Sequence, residues 1–253
     1  MVKVIAKEKL KPNSFTKLGD VLSGDVDKVS DTSSSGFTAK SGKVEADVGG
    51  SGFVFVAKVP VAGTIETIDI FFKGDLAFKV SDLHLTVAQA LSLGQMSFED
   101  GLAQFFSGDD LFKGSKENDY LRGFDGNDTL KGRAGNDKLQ GDKGEDILNG
   151  GKGKDQYFFK DGPGNGMDTI TKLQSGEKMK FDHNAFAGIG AKGMLNADLL
   201  VIDGPFTNTS QRFSYDTSTK ILSYDADGSG SGVAQAVAHI ASGNFDADHM
   251  FVI

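Results

Sequence analysis

Apolar residues recur at a fixed interval through the middle of the chain: Phe112, Leu121, Leu130, Leu139, Leu148 and Tyr157 stand nine residues apart. Nine matches neither the 3.6-residue period of a helix nor the alternation of a strand, so a different geometric unit is being repeated. The stretch reads FFSGDDLFK (105–113), GSKENDYLR (114–122), GFDGNDTLK (123–131), GRAGNDKLQ (132–140), GDKGEDILN (141–149) and GGKGKDQYF (150–158). In each unit six turn-like residues precede three strand-like ones. Two units then complete one coil of a right-handed parallel β-roll, in which the eighth position points inward between two sheets and units n and n+2 stack on the same edge. A flexible Gly/Asp linker would have no reason to keep an apolar residue at every eighth position.

On the N-terminal side the pattern becomes that of antiparallel strands. KVEADV, GFVFVAKVPV, TIETIDIFF and DLAFKV are short β-branched or aromatic runs separated by Gly-containing breaks, and they predict four or five strands from Phe37 onward. Within 64–72, Ile65, Ile68, Ile70 and Phe72 partly alternate with polar residues, as in a half-buried sheet with a bulge. Thr86-Val-Ala-Gln89 and Ser97-Phe-Glu-Asp100 each place a capping hydroxyl three residues before a polar partner, which predicts two short helices. The second would end near Phe106, with Leu102, Phe105 and Phe106 facing back onto the sheet. Residues 1–35, polar and ending in SDTSSSG, read as a flexible tail or weakly ordered strands.

Beyond the repeat, Phe213 and Tyr215, then Ile221, Leu222 and Tyr224, suggest strands joined through Asp216 to Lys220. The expected organisation is a tail (1–35), a β-rich N-terminal module with one or two short helices (36–104), the β-roll (105–172) and a C-terminal β flank (173–253). The fold class is all-β dominated.

Composition sharpens this picture. The 34 glycines against 4 prolines favour tight turns and β structure, while 38% hydrophobic content is low for one compact core. With no cysteine, disulfides cannot supply the missing staple. The net charge is −8 and no segment is basic, which argues against a nucleic-acid partner. The longest strictly apolar runs, such as Phe53 to Ala57, fall far short of the ~20 residues of a membrane helix. No hydrophobic stretch of signal-peptide length opens the chain.

The sixth position of the units is invariant: Asp110, Asp119, Asp128, Asp137, Asp146 and Asp155. In the roll, Asp110, Asp128 and Asp146 form one column and Asp119, Asp137 and Asp155 the other, with Asp137 mid-column and Asp155 at its end. Carboxylates stacked at about 4.8 Å repel one another unless a cation lies between them. Oxygen-only ligands from carboxylates and turn carbonyls, in a flexible site, select calcium over softer transition metals and over rigidly octahedral magnesium. A core one apolar residue deep per unit is too thin to fold alone, so binding such an ion would supply folding free energy.

These units resemble the GGxGxDxUx repeats of the RTX (hemolysin-type calcium-binding repeat) family, and the chain looks like a short type I-secreted RTX protein of rhizobial type. The resemblance spans about residues 105–172, counting the trailing unit GNGMDTI, whose Asp168 and Ile170 keep the Asp-x-apolar spacing. It implies several calcium ions, about three to five, held by Asp110, Asp119, Asp128, Asp137, Asp146, Asp155 and Asp168. Turn backbone at Gly114, Gly123, Gly126, Gly132, Gly135, Gly141, Gly144, Gly150 and Gly153 would complete the ligand set. Ser115, Glu117, Phe124, Arg133 and Asp142 depart from the consensus glycines, and the first unit lacks both leading glycines. The resemblance further implies a type I ABC exporter that reads the C-terminus, where NFDADHMFVI places acidic before hydrophobic residues, an extracellular location outside a Gram-negative cell, and an extracellular ligand.

Other motifs yield to plainer readings. Asp225-Ala-Asp-Gly-Ser-Gly imitates the start of an EF-hand loop, but position 12 would be Ala236, so a strand-end loop is expected. Gly188–Gly193 matches GxGxxG with no βαβ pattern around it. His84, His183, His239 and His249 are scattered, and neither HExxH nor GxSxG occurs. The leading expectation is therefore a non-enzymatic, secreted calcium-binding protein. An unfamiliar enzyme within residues 1–104 and a membrane-interacting or pore-forming protein are the alternatives.

Overall fold

The computed structural model describes residues 3–6, 28–33, 35–41, 44–56, 59–72, 75–81, 85–86, 88–89, 103–104 and 106–253. Its described residues are almost entirely β. In the N-terminal part, β1 (Lys3–Ala6), β2 (Lys28–Ser33), β3 (Gly36–Ser41), β4 (Val44–Val56), β5 (Val59–Phe72), β6 (Asp75–Ser81) and β7 (Leu85–Thr86) form an antiparallel sheet ordered β1-β6-β5-β4-β3-β2, with β7 on β5. The Gly49-Gly50 pair, which the sequence suggests as a break, instead lies inside β4, and the pairing of β4 with β5 shifts register there. Glycine lets the strand bulge without ending it. The bulge expected in 64–72 falls between Ile70 and Phe71. Val48, Ile65 and Ile68 are buried.

Thr86 and Gln89 form the reciprocal capping pair: the Gln89 amide donates to Thr86 Oγ1 at 3.2 Å and the Thr86 amide to Gln89 Oε1 at 2.8 Å. Residues 88–89 and 103–104 are helical. The helix start predicted at Ser97, together with Leu102 and Phe105, lies outside the described residues. Phe106 is among the described residues. Fully buried, it packs on Phe112 and Phe124, ring centroids 5.2 and 6.0 Å away, and plugs the leading end of the roll.

The roll itself consists of β8 (Leu111–Lys113), β9 (Tyr120–Asp125), β10 (Thr129–Ala134), β11 (Lys138–Lys143), β12 (Ile147–Lys152), β13 (Gln156–Phe159), β14 (Asp168–Ile170) and β15 (Lys178–Phe181). Strands β8, β10, β12 and β14 pair in parallel in one sheet and β9, β11, β13 and β15 in the other. Leu130 registers with Phe112 and Leu148, and Leu139 with Leu121 and Tyr157, so two nine-residue units make one coil. All six eighth-position side chains are at most 1% exposed.

Pairing continues past residue 172. After β16 (Gly193–Met194), β17 (Leu200–Ile202), β18 (Phe213–Asp216) and β19 (Ile221–Tyr224), strand β20 (Gln235–Ile240) adds in parallel to β14 and β21 (Met250–Val252) to β15. The expected hairpin is present, with Phe213 opposite Tyr224. Phe181, Phe186, Phe213 and Tyr224 form an aromatic cluster that closes the trailing end of the roll. On the leading side β1 pairs with both β6 and β8, so the antiparallel sheet runs directly into the roll.

Candidate metal centre

Each sixth-position aspartate ends a turn and precedes a roll strand, and its neighbours follow from the coil register. The Asp110 amide donates to Asp128 Oδ1, Asp119 to Asp137, Asp128 to Asp146 and Asp137 to Asp155, all at 2.7–2.8 Å. Each carboxylate thus reaches back to the coil before it. The structure places Asp110, Asp128, Asp146 and Asp168 in one column and Asp119, Asp137 and Asp155 in the other, every one buried.

A second side-chain ladder, at the fifth position of the units, runs the opposite way. Asp109 accepts from the Asn127 amide and Asn127 from Glu145, while Asn118 accepts from Asn136 and Asn136 from Lys154, at 2.6–2.8 Å. Positions five and six therefore lace adjacent coils in both directions. The Asn-Asp pairs of GNDTL and GNDKL carry this signal in the sequence.

One oxygen of each inner rung is left over. Oδ2 of Asp128, Asp137, Asp146 and Asp155 is buried with no hydrogen-bond partner. Each sits over the first glycine of its own unit, Gly123, Gly132, Gly141 or Gly150, where any Cβ would collide with it. The carbonyls of Gly141 and Gly150 approach the same spaces above Gly123 and Gly132. A buried carboxylate oxygen with no donor, beside a backbone carbonyl at Gly123 and Gly132, fits a hard divalent cation. Among the described residues no three His, Cys, Asp or Glu side chains converge. Turn carbonyls would therefore have to provide much of the coordination.

Electrostatics agree with that fit. Burial pushes the Asp128 carboxyl up to about 8, Asp137 to about 7 and Asp146 to about 6, with stacked neighbouring carboxylates adding to the first two. Asp155 and Asp168 are also raised, chiefly by burial. Burial thus disfavours the ionised form of these groups, and a bound cation would favour it.

The departures from the glycine consensus have distinct consequences. Ser115 donates from its amide (2.5 Å) and hydroxyl (3.0 Å) to Asp119 Oδ2, so the leading rung of the second column is satisfied by protein. Phe124, Arg133 and Asp142 adopt left-handed backbone, φ 78°, 81° and 70°, at the position where the sixth unit has Gly151. The second column also extends beyond Asp155, contrary to the expectation that it ends there. Glu177, 1% exposed, lies 22 residues further on, the same step that separates Asp146 from Asp168. Burial raises its carboxyl to about 7.

Asp225 and Asp227 stay apart from these columns, in the loop after β19, where Asp225 Oδ1 accepts from the amides of Asp227 and Gly228. His183 reaches the Ile253 carbonyl and His249 reaches Asp246, each at 2.7 Å. His84 lies outside the described residues. No described helix is long and apolar enough to cross a membrane.

Comparison with known families agrees with the geometry: the RTX calcium-binding nonapeptide repeat matches residues 106–139 and 122–157. No curated protein matches the chain.

Proposed function

From the premise that this chain is an RTX calcium-binding repeat protein over residues 106–157, we propose that its roll is a calcium-driven folding switch in a secreted, non-enzymatic protein. At the low free calcium of a bacterial cytosol the stacked carboxylates oppose folding, and the chain stays threadable. A type I ABC exporter, reading the C-terminal segment, passes it out of the cell. Outside, calcium binds the folded form alone and stabilises it by mass action, by about 2.7 kcal/mol for each site at a hundredfold excess over Kd. The 36–104 module then serves a surface, matrix or host ligand.

The observation that supports this reading is the set of buried Oδ2 atoms on Asp128, Asp137, Asp146 and Asp155, which have no protein donor. Leaving such a group unsatisfied costs about 1–3 kcal/mol, more when it is charged. Circular dichroism of the full chain during a calcium titration tests it. We expect weak β signal in chelator that grows cooperatively with calcium; full β signal in chelator would overturn the reading. In cells carrying a type I exporter, removal of residues 204–253 should leave the chain inside.

A further inference from the structure

Two columns of carboxylates run along the roll, and they end alike. In the first, the Asp146 and Asp168 carboxyls are in contact. In the second, Asp155 meets Glu177, a residue beyond the repeat and of a different acid type. Both residues are essentially inaccessible, Asp155 at 0% and Glu177 at 1% exposure. Asp155 keeps its Oδ2 without a hydrogen-bond partner, lodged over Gly150 where a Cβ would collide with it.

Further oxygens gather at the same end. The Tyr157 hydroxyl lies 3.4 Å from the Lys172 carbonyl and 3.3 Å from Glu177 Oε2. Gln174 holds Glu177 from the other side: its amide donates to Oε2 at 2.8 Å and its side-chain Nε2 to Oε1 at 3.2 Å. Glu177 is thus fixed in place, while its neighbour Asp155 presents an oxygen that no donor takes. Two buried carboxylates in contact, with a carbonyl and a phenolic oxygen beside them, are an oxygen-only donor set of the kind that suits calcium.

We propose that Asp155 and Glu177 form a divalent-cation site outside the nonapeptide units, at the trailing end of the second column. Glu177 supplies the carboxylate that a further repeat would otherwise bring, and Tyr157 and Gln174 position it. This rests on the calcium reading above. It adds a site that the repeat consensus does not contain, since a four-residue insertion and a change from aspartate to glutamate separate Glu177 from the register.

Terbium, a luminescent stand-in for calcium, tests the site in the full chain, because the protein has no tryptophan and only four tyrosines. Among these only Tyr157 occupies an eighth position and touches Glu177. We expect tyrosine-sensitised terbium emission from the wild type, reduced in Tyr157→Phe. Glu177→Gln should lose the same emission and one calcium ion, counted by native mass spectrometry. Undiminished emission from Tyr157→Phe, or an unchanged ion count in Glu177→Gln, would overturn the proposal while leaving the calcium reading intact. A wild type that binds no calcium at all would overturn both. Should Glu177→Gln fail to fold, Tyr157→Phe, which keeps every carboxylate, decides the matter alone.

Discussion

The amide of Asp119 donates to Oδ1 of Asp137 at 2.7 Å, yet the two carboxylates differ in their other oxygen. Ser115 satisfies Oδ2 of Asp119, whereas Oδ2 of Asp137 is buried and unpartnered. The same residue type in the same column thus has two environments, and calcium should distinguish them.

Asp137→Asn keeps the neutral side-chain acceptor and removes the charge. We expect its calcium midpoint to rise about tenfold or more, about 1.4 kcal/mol per decade. Asp119→Asn should shift the midpoint less. Asp155→Asn should behave like Asp137→Asn, because Glu177 continues the column beyond it. Asp125, exposed and 3.3 Å from Lys143, is the control, and its removal should cost no more than about 1 kcal/mol. Calcium titrations followed by circular dichroism measure all four.

The pH dependence should change sign with calcium. In the calcium-free protein Asp128, Asp137 and Asp146 titrate near 8, 7 and 6, above the ordinary aspartate value of 3.8. A carboxyl raised on folding contributes stability that is complete below its unfolded value and is lost as pH rises through the folded one. Calcium-free roll should therefore be more structured at pH 5 than at pH 8. Calcium binds the ionised form, so its affinity should rise across the same window, with protons released on binding. Thermal melts at both pH values, with and without calcium, would show the crossing. Equal apo stability at the two would contradict the buried columns.

Left-handed backbone at unlike side chains gives opposite expectations for one substitution. Arg133 is exposed and its main fixed contact is a 3.3 Å bond to the Gly114 carbonyl. Arg133→Gly relieves about 1–2 kcal/mol of steric cost and gives back part of it through the more flexible unfolded chain, a net gain of up to about 1 kcal/mol. Phe124 is 5% exposed and stacks on Phe106, so Phe124→Gly should lose roughly 3–5 kcal/mol. Gly144, at φ 132°, abuts the Gly126 carbonyl, and Gly144→Ala should prevent closure of that coil. Melting temperatures in saturating calcium order the three.

How much of this the sequence carried depended on the period. Where nine residues repeat, the coil, the inward eighth position and both aspartate columns follow from spacing alone. Glu177 escaped because the insertion after Phe158 breaks the count, although Glu177-Lys178-Met179 keeps the acid-x-apolar pattern and Met179 is fully buried. Ser115 looked like a mere departure from glycine, since its role depends on a carboxylate four residues away. The Gly49-Gly50 bulge shows the reverse error: glycine punctuates a strand locally, but whether the strand ends is decided by its partner. The parallel docking of β20 and β21 joins residues about 70 apart, a contact that local pattern does not encode.

The final strand makes the last prediction. Met250 and Val252 are 0% and 3% exposed where β21 lies beside β15, while Phe251 between them turns outward beneath the Lys178 ammonium, 4.3 Å from its ring centroid. Alternation on this strand means that neighbouring truncations remove different things. Met250→Ala empties a core site and should cost about 2–5 kcal/mol. Phe251→Ala removes a partly exposed ring and a cation–π contact worth about 0.5–1 kcal/mol, so it should cost clearly less. Both effects should appear in saturating calcium, because the strand closes the apolar interior rather than the carboxylate columns. If Phe251→Ala lowered the melting temperature as much as Met250→Ala, β21 would not be the inward-packed rung described.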